Sequence, residues 1–371
     1  MKQLINLTGH EVRTKIVPSP IPTPSAHQVL IKVVVSGSNP KDWKRPHWEA
    51  DGSGPFANFK DRSGEGINQG DDVAGVVQKV GDGVLEFKVS DVKLPGDRVA
   101  AFHEMGSPGG SYAEYAVAWD FSTFHIPNSA TFEEAATIPL TALTAAMALY
   151  RNLRLPPPWT PATTPIPLVI YGASSAVGSF AIKLARNSNI HPIIATAGNG
   201  AQYVERLLDR TKGDTVIDYR QGDEEVIRQI GEHLETNGFN QPKHGLDPGI
   251  GIASQKVLNE IVASDGEINL VLPSNFEVGP ASKSVTTVGV IHNQDNGAYG
   301  PEANDLSLAM CRWFTRALQQ GKLQGHPFEV RAGGLDGVEQ ALEDLKGGKA
   351  SAVKYVFRIA DTPGLERVFL L

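Results

Sequence analysis

Cysteine is almost absent from this sequence. Its 371 residues include one cysteine, Cys311, which excludes an intrachain disulfide and a zinc site built from several cysteines. Long apolar runs are also missing, since no stretch approaches the ~20 residues needed to cross a bilayer. The N-terminal segment lacks the basic and apolar parts of a secretory signal. We therefore expect no membrane association and a cytoplasmic location.

Positive charge is in short supply as well. Lysine and arginine together number 34 against 41 acidic residues, which gives a formal net charge of −7. A nucleic-acid partner normally requires a basic face, so this balance disfavours one. The hydrophobic content of 41% is ordinary for a globular protein, and the chain length predicts two domains.

The sequence pattern changes near residue 130. Before it, β-branched segments such as residues 29–35 and 73–81 alternate with glycine and proline turns, which predicts a small barrel or sandwich. Residues 48–70 show no periodicity and are interpreted as a long surface loop. A capping pattern at Thr131 opens a helical stretch. After a proline-rich connector, strands and helices alternate, which predicts an α/β fold with a doubly wound parallel sheet.

The most informative segment is residues 168–185. A buried strand passes through a turn of glycine, alanine and serine directly into an amphipathic helix. Such a turn can hold a dinucleotide pyrophosphate, because small residues let the phosphates approach the free amides at the helix start. The next strand ends at residues 195–200 without the acid typical of NAD sites, so the sequence favours NADPH. Arg206 or Arg220 could supply the positive charge that a 2′-phosphate requires.

Two hydrolase patterns compete with this interpretation. Ser174 lies in a sequence one residue away from a nucleophile elbow, and Asp247 and His292 could complete a triad. The elbow strand is the first of the sheet and follows a separate β-rich region, which disfavours a serine hydrolase. Lys354 completes a Ser-x-x-Lys pattern, but the partner motifs of that enzyme class are missing, so we interpret the match as chance.

Several further segments carry a family resemblance. They include Asn-Pro-Lys-Asp-Trp-Lys at residues 39–44, Gly-Asp-Arg-Val at 96–99 and the alanine- and threonine-rich run at 135–145. Together with the turn at 171–178, they resemble the quinone oxidoreductase and fungal trans-acting enoyl reductase branch of the medium-chain dehydrogenase/reductase superfamily. Ser175 stands where quinone reductases carry a glycine, which resembles the enoyl reductases more.

The resemblance implies a fold and a set of cofactor contacts. A GroES-like catalytic domain would comprise residues 1–140 and 293–371, a Rossmann domain would comprise residues 141–292, and NADPH would lie in the cleft between them. The residues implied at the pyrophosphate are Ser174, Ser175, Ala176 and Val177. Those implied at the adenosine phosphate end are Asn199 and Tyr219. Those implied near the nicotinamide are Thr141, Thr144, Leu272, Val290 and Ile291.

Zinc-dependent relatives use a catalytic cysteine and a Gly-His-Glu helix, and this sequence has neither, so no metal is expected. Reduction without a metal requires an already polarised acceptor, such as an enone, an enoyl thioester or a quinone. The developing enolate needs a hydrogen-bond or proton donor, and Asn39 and Lys44 are the candidates. Asp42 is interpreted as a structural residue.

The resemblance also makes a polyketide synthase a candidate partner. The alternative from another functional class is a catalytically idle NADPH-binding scaffold. Turnover of quinones, enals or enoyl thioesters would distinguish an enzyme from a scaffold.

Overall fold

The structure is a computed structural model that describes residues 1–52, 66–89, 96–249, 251–272, 279–292 and 302–365. The chain forms two compact units. The first unit comprises Met1–Leu140 with Gly289–Leu371, and the second comprises Thr141–Val288. Among the described residues, no helix has both the length and the apolar character needed to cross a membrane.

The elements alternate between strands and helices along most of the chain. The strands are β1 (Lys2–Asn6), β2 (Thr14–Pro18), β3 (Gln28–Gly37), β4 (Asp72–Val80), β5 (Arg98–Phe102), β6 (Tyr115–Trp119), β7 (Thr123–His125), β8 (Leu168–Tyr171), β9 (Ile193–Ala197), β10 (Thr215–Asp218), β11 (His244–Asp247), β12 (Glu267–Val271), β13 (Ser282–Thr286), β14 (Phe328–Val330) and β15 (Lys354–Arg358). The helices are α1 (Lys41–Asp51), α2 (Phe132–Ala135), α3 (Pro139–Ala146), α4 (Ala176–Asn187), α5 (Ala201–Glu205), α6 (Asp223–Thr236), α7 (Ile252–Ile261), α8 (Glu302–Gln319) and α9 (Val338–Lys346).

The first unit is organised around a sheet with the strand order β14-β15-β3-β4-β5-β7, in which β6 also pairs with β3. Alternate residues of β3, including Val29, Ile31 and Val33, point into the core, as the period of two in a strand requires. The last strand, β15, pairs antiparallel with β3, so residues near the two ends of the chain share one sheet.

The second unit contains a six-stranded parallel sheet with the order β10-β9-β8-β11-β12-β13. The first strand of this unit, β8, lies in the middle, and the order reverses between β8 and β11. Ligands of doubly wound sheets bind at the carboxyl ends of the strands at such a reversal. Helix α6 buries Val226, Ile230 and Leu234, four residues apart, in the core of this unit. The predicted doubly wound parallel sheet is confirmed.

Several predicted boundaries differ from the structure. The β-branched run predicts a strand over residues 285–291, but β13 ends at Thr286 and a 3₁₀ turn covers Val288–Ile291. Residues 289–292 group with the first unit, where the ring of His292 packs against Phe102. The loop expected at 48–70 begins later, because α1 continues to Asp51. Residues 53–65 of that loop lie outside the described residues, as does the segment 293–301, which the sequence predicts to shape the substrate pocket together with the 48–70 loop.

Candidate functional site

The turn between β8 and α4 has the backbone shape that an anion site needs. Gly172 has a φ of +81°, which glycine adopts without steric cost. The hydroxyl of Ser175 caps α4 by accepting a hydrogen bond from the Gly178 amide at 3.0 Å. A Cβ on Gly178 would lie 2.6 Å from the carbonyl oxygen of Gly172, so only glycine fits there. The backbone of the turn at Gly172 therefore packs tightly against the first turn of α4.

The front of this turn is open. Ser174, Ser175, Ala176 and Val177 are partly exposed. The amides of Ala176 and Val177 lie in the first turn of α4, where no intrahelical acceptor exists, and the helix dipole adds partial positive charge. A pyrophosphate fits this donor set, because its oxygens can accept from such amides without any basic side chain. The structure thus brings all four implied pyrophosphate residues together.

The next two strand ends meet beside this turn. The ring of Tyr219 lies 6.0 Å from the ring of Tyr171. It also covers Gly198, where a Cβ would be 2.9 Å from the Tyr219 hydroxyl oxygen. Tyr219 is 41% exposed and Asn199 is exposed, so both present polar atoms to solvent. The two residues implied at the adenosine phosphate end thus belong to neighbouring strand ends.

Arg220 links these two strand ends. One guanidinium nitrogen of Arg220 donates to the side-chain oxygen of Asn199 at 2.5 Å. The same guanidinium makes a bidentate ion pair with Asp218. Hydrogen bonds from Arg220 lower the pKa of the Asp218 carboxyl to about 2. Of the two arginines considered as phosphate ligands, Arg220 is the one in contact with Asn199, whereas Arg206 packs over the ring of Tyr203.

The residues implied near the nicotinamide occupy several elements. Thr141 and Thr144 lie one turn apart on α3 and are buried. Leu272 follows β12 with a φ of +86°, a strained conformation for a leucine. Val290 and Ile291 are buried in the 3₁₀ turn, and the carbonyl of Ile291 accepts a hydrogen bond from Asn304. Their assignment to the cofactor stays a prediction.

The first unit contains a buried group of charged side chains, which we call the charge cluster: Lys41, Asp42, Asp71, Asp72 and Lys354. The ammonium nitrogen of Lys41 lies 2.5 Å from a carboxylate oxygen of Asp71 and 3.0 Å from one of Asp42. Asp42 also accepts a hydrogen bond from the Tyr112 hydroxyl at 2.7 Å. Both carboxyl groups are fully buried.

The second half of the charge cluster joins β15 to β4. The ammonium group of Lys354 donates to Asp72 at 2.5 Å and to the side-chain oxygen of Asn39 at 3.2 Å. Asp72 also accepts from the Asn39 side-chain amide at 2.7 Å and from the backbone amide of Leu140 at 2.7 Å. Asp72 and Lys354 are therefore each held by several partners, as buried charges require, whereas Asp71 is balanced by its ion pair with Lys41.

Burial changes the acid–base properties of the charge cluster. It raises the pKa of both Asp42 and Asp71 to about 6, although the charge of Lys41 acts in the opposite direction. Burial also raises the pKa of Tyr112 well above its usual range, and the neighbouring Asp42 adds to this shift. Burial acts to lower the pKa of Lys41, but its attraction to Asp42 and Asp71 raises it overall.

The two predicted donors behave differently. Asn39 is 2% exposed, and its side chain bonds to Asp72 and Lys354, so it is placed to position other groups rather than to contact a substrate. Lys44 is half-buried on α1, and burial lowers the pKa of its ammonium group. Its nitrogen lies 5.6 Å from the ring centre of Trp43. Within the described part of the chain it makes no hydrogen bond or ion pair.

The rival triad is not assembled. Asp247 accepts hydrogen bonds from the Ser254 hydroxyl and the Gly249 amide. The ring of His292 is buried between Phe102 and Phe121, and burial lowers its pKa to about 3. Among the described residues, no histidine hydrogen-bonds to Ser174. The structure therefore gives Ser174 no general base.

Sequence reasoning missed three members of the charge cluster. Lys41 lies inside the quoted 39–44 segment but has no role assigned from the sequence, Asp71 lies outside the quoted motifs, and Lys354 is interpreted only as part of a chance hydrolase pattern. Lys354 is 5% exposed, and a lysine inside a β-branched strand was the one available signal, because lysine is rarely buried without a partner. Gln69 was also missed; its buried side-chain amide makes no hydrogen bond with any described residue.

Comparisons with known proteins agree with this geometry. Residues 25–128 match the alcohol dehydrogenase GroES-like domain. The trans-enoyl reductase fsr4 of Gibberella fujikuroi is 42% identical over 340 residues, which cover 90% of this chain and 91% of the relative. The chain belongs to the enoyl reductase branch of the medium-chain dehydrogenase/reductase superfamily. Members of this superfamily are oxidoreductases that use a nicotinamide cofactor.

Solved structures of the superfamily share the fold. CurK enoyl reductase superposes with a TM-score of 0.71 at 20% identity, covering 95% of this chain and 98% of CurK. The quinone oxidoreductase of Pseudomonas syringae pv. Tomato DC3000 gives a TM-score of 0.68 at 22% identity, covering 96% of this chain and all of that one. These likenesses confirm the predicted combination of a GroES-like and a Rossmann fold.

Proposed function

We propose that this enoyl reductase family member transfers hydride from NADPH to a carbon–carbon double bond conjugated to a carbonyl, in an enone or an enoyl thioester, without a catalytic metal. The observation that carries the proposal is the open turn at the start of α4, with its first-turn amides and its tight packing at Gly178. The similarity to a trans-enoyl reductase supports the double bond as the acceptor rather than a quinone.

The preference for NADPH rests on the strand ends beside this turn. Gly198 and Asn199 carry no negative charge that would repel a 2′-phosphate. The Arg220 guanidinium donates a hydrogen bond to Asn199. An acid at this position would instead accept hydrogen bonds from the ribose hydroxyls of NADH. The exposed ring of Tyr219 offers a flat apolar surface next to the same strand ends.

Bound NADPH would supply the hydride, so the chain must bind the substrate and stabilise the enolate that develops on its carbonyl oxygen. Lys44 is the donor that we propose for that oxygen. Its burial lowers its pKa, which makes proton transfer from it easier, and no described acidic group neutralises it. Lys41 cannot take this role, because Asp42 and Asp71 hold its ammonium group.

The ligands at hand support the proposal that the reaction needs no catalytic metal. The one cysteine, Cys311, is buried in α8, and burial raises the pKa of its thiol to about 12. A thiol that stays protonated at neutral pH is a poor zinc ligand. We also propose that a polyketide synthase is the partner that presents the enoyl thioester.

The cofactor site is tested with a pair of variants at one position. Ser175→Asp keeps a good helix cap but adds negative charge where the pyrophosphate would lie, whereas Ser175→Asn keeps the cap without charge. We expect Ser175→Asp to raise the Kd for NADPH at least about tenfold and Ser175→Asn to change it little. Equal affinities of the two variants in fluorescence titrations would remove the basis for this cofactor site.

Activity is tested by following NADPH oxidation with enoyl thioesters, enones and quinones. The proposal predicts turnover of the first two classes. Lys44→Met should lower kcat about 100-fold or more while leaving the Kd for NADPH unchanged. Turnover of quinones alone would show that the acceptor is a quinone and not a conjugated double bond. Tight NADPH binding without any turnover would support the idle scaffold.

A further inference from the structure

We propose that His10, His47 and Asp51 form a binding site for a divalent transition-metal ion of the zinc type on the surface of the first unit. One ligand atom from each of the three side chains lies within 4.8 Å of the other two. The site is separate from the proposed reaction, in which the ion takes no part.

The three side chains are near enough to share a small cation. A tetrahedral zinc ion with bonds of about 2.0–2.1 Å holds its ligand atoms about 3.3 Å apart. The Nε2 atoms of His10 and His47 lie 3.6 and 3.7 Å from separate carboxylate oxygens of Asp51. The two imidazole rings meet edge to face, with their centres 4.8 Å apart. Because the ligand atoms lie up to 4.8 Å apart, side-chain shifts that total about 1.5 Å would bring them to the ion.

The backbone holds His10 in place by contacts that involve no ligand atom. His10 lies in the connection between β1 and β2, where the Gly9 amide donates to the carbonyl of Pro46 at 3.2 Å. The Thr8 hydroxyl donates to Glu49, and the Lys346 ammonium group donates to the carbonyl of His10 at 2.7 Å. The connection is therefore fixed against α1 before an ion arrives, which reduces the ordering cost of binding.

The other two ligands lie on the last turn of α1. His47 and Asp51 are four residues apart, so they share one face of the helix. The Nδ1 atom of His47 is buried and makes no hydrogen bond with any described residue, which leaves Nε2 as the nitrogen that faces Asp51. A cation at a helix C-terminus also interacts favourably with the helix dipole.

The donor set selects the class of metal. Two imidazoles with one carboxylate suit Zn²⁺ and neighbouring transition metals, whereas Mg²⁺ and Ca²⁺ prefer oxygen ligands alone. His10 and Asp51 are exposed, so water can complete the coordination. A bound ion would tie the β1–β2 connection to the end of α1.

The experiment uses the full chain after removal of any affinity tag and treatment with a chelator. Titration calorimetry with ZnCl₂ should show one saturable site per chain, and the Tm should rise with Zn²⁺ concentration. MgCl₂ at the same concentrations should have no effect. Co²⁺ should give the visible absorption of a bound transition metal. Because binding is measured directly, the result does not depend on whether the reductase proposal is correct.

Matched variants decide whether these three residues are the ligands. His10→Gln, His47→Gln and Asp51→Asn should each weaken Zn²⁺ binding about tenfold or more. The control is His27→Gln, which alters a surface histidine whose Nδ1 lies 3.3 Å from Asp120 but which has no second histidine nearby in the described structure. The His27→Gln variant should bind Zn²⁺ as tightly as the parent protein does. No saturable binding, or unchanged binding in the three ligand variants, would overturn the proposal.

Discussion

The charge cluster of the first unit and the α4 turn of the second unit are built from different parts of the chain. In the charge cluster, side chains from α1, β4 and β15 meet in the interior and neutralise one another. In the α4 turn, the groups that we propose to bind the cofactor are backbone amides, and the side chains are small so that the backbone stays accessible. The first region therefore depends on charged side chains, and the second depends on side chains small enough to leave the backbone accessible.

This difference sets how each region should respond to mutation. Truncating a side chain should damage the charge cluster, because it leaves an opposite charge buried without its partner. Adding atoms should damage the α4 turn, because a Cβ has nowhere to go at Gly178. The following predictions test this contrast, from the largest expected effect to the smallest.

The largest effect is expected from Lys354→Met, which keeps the length of the side chain but removes its charge. Asp72 would remain buried with one fewer charge-assisted donor, so the free energy of unfolding should fall by about 3–5 kcal/mol. Urea denaturation measures this loss. Lys243→Met is the matched control, because its ion pair with Asp265 is exposed and its loss should change stability little. Similar stabilities of the two variants would contradict the role of the cluster.

The pH dependence of the free energy of unfolding tests the charge cluster at Asp71. The pKa of this carboxyl is raised from 3.8 to about 6, so the folded protein holds a proton that the unfolded chain releases between these values. The stability contributed by Asp71 is therefore full below about pH 4 and is lost as the pH rises to about 6. Relative to Asp71→Asn, the parent should lose as much as about 3 kcal/mol over this range.

The measurement is a series of denaturation curves for both proteins from pH 4 to pH 7. The difference between the two proteins removes the effect of distant carboxyl groups and retains that of Asp42, because the charge of Asp71 raises the pKa of Asp42. A stability difference that does not vary with pH would show that Asp71 titrates normally in the folded protein.

At the α4 turn, Gly178→Ala should lower stability by about 1–3 kcal/mol, because the new methyl group would lie 2.6 Å from the Gly172 carbonyl oxygen. The turn would have to open, so NADPH affinity should fall as well. Gly231→Ala is the control: it lies within α6 with no atom in the way, and alanine should stabilise the helix by about 0.5–1 kcal/mol. Thermal unfolding of both variants tests the pair.

The smallest effect is expected where a side chain does contribute to the second unit. Arg220→Ala should raise the Kd for NADPH about tenfold through loss of a phosphate ligand and leave the Kd for NADH unchanged. Arg228→Ala removes another exposed arginine of the same unit and serves as the control. If Arg220→Ala weakened both cofactors equally, the assignment of Arg220 to the 2′-phosphate would be wrong.

The same contrast explains how much the sequence could predict. The parallel sheet and the strand β8 follow from local patterns, because neighbouring residues form each strand. The cap at Thr131 was also predicted, and its hydroxyl accepts from the Glu134 amide. The charge cluster was not predicted, because its members lie up to 313 positions apart (Lys41 to Lys354) and no local pattern joins them.

Helix α1 was missed for a different reason. Pro46 lies inside the helix, and the preceding Asn-Pro pair is typical of a turn, so the local signals opposed a helix. Burial of Asp42, Arg45 and Pro46 against the rest of the first unit outweighs those preferences. The donors on this helix, including Lys44, could therefore be named from the sequence but not placed.

The position of Lys354 has a consequence for the order of events during synthesis. A ribosome makes Asp72 long before it makes β15, so the ammonium group of Lys354 that pairs with this carboxylate emerges 282 residues later. The second unit, in contrast, is one continuous stretch, Thr141–Val288. During translation it can form its sheet first, while the β3–β15 pairing waits for the last strand.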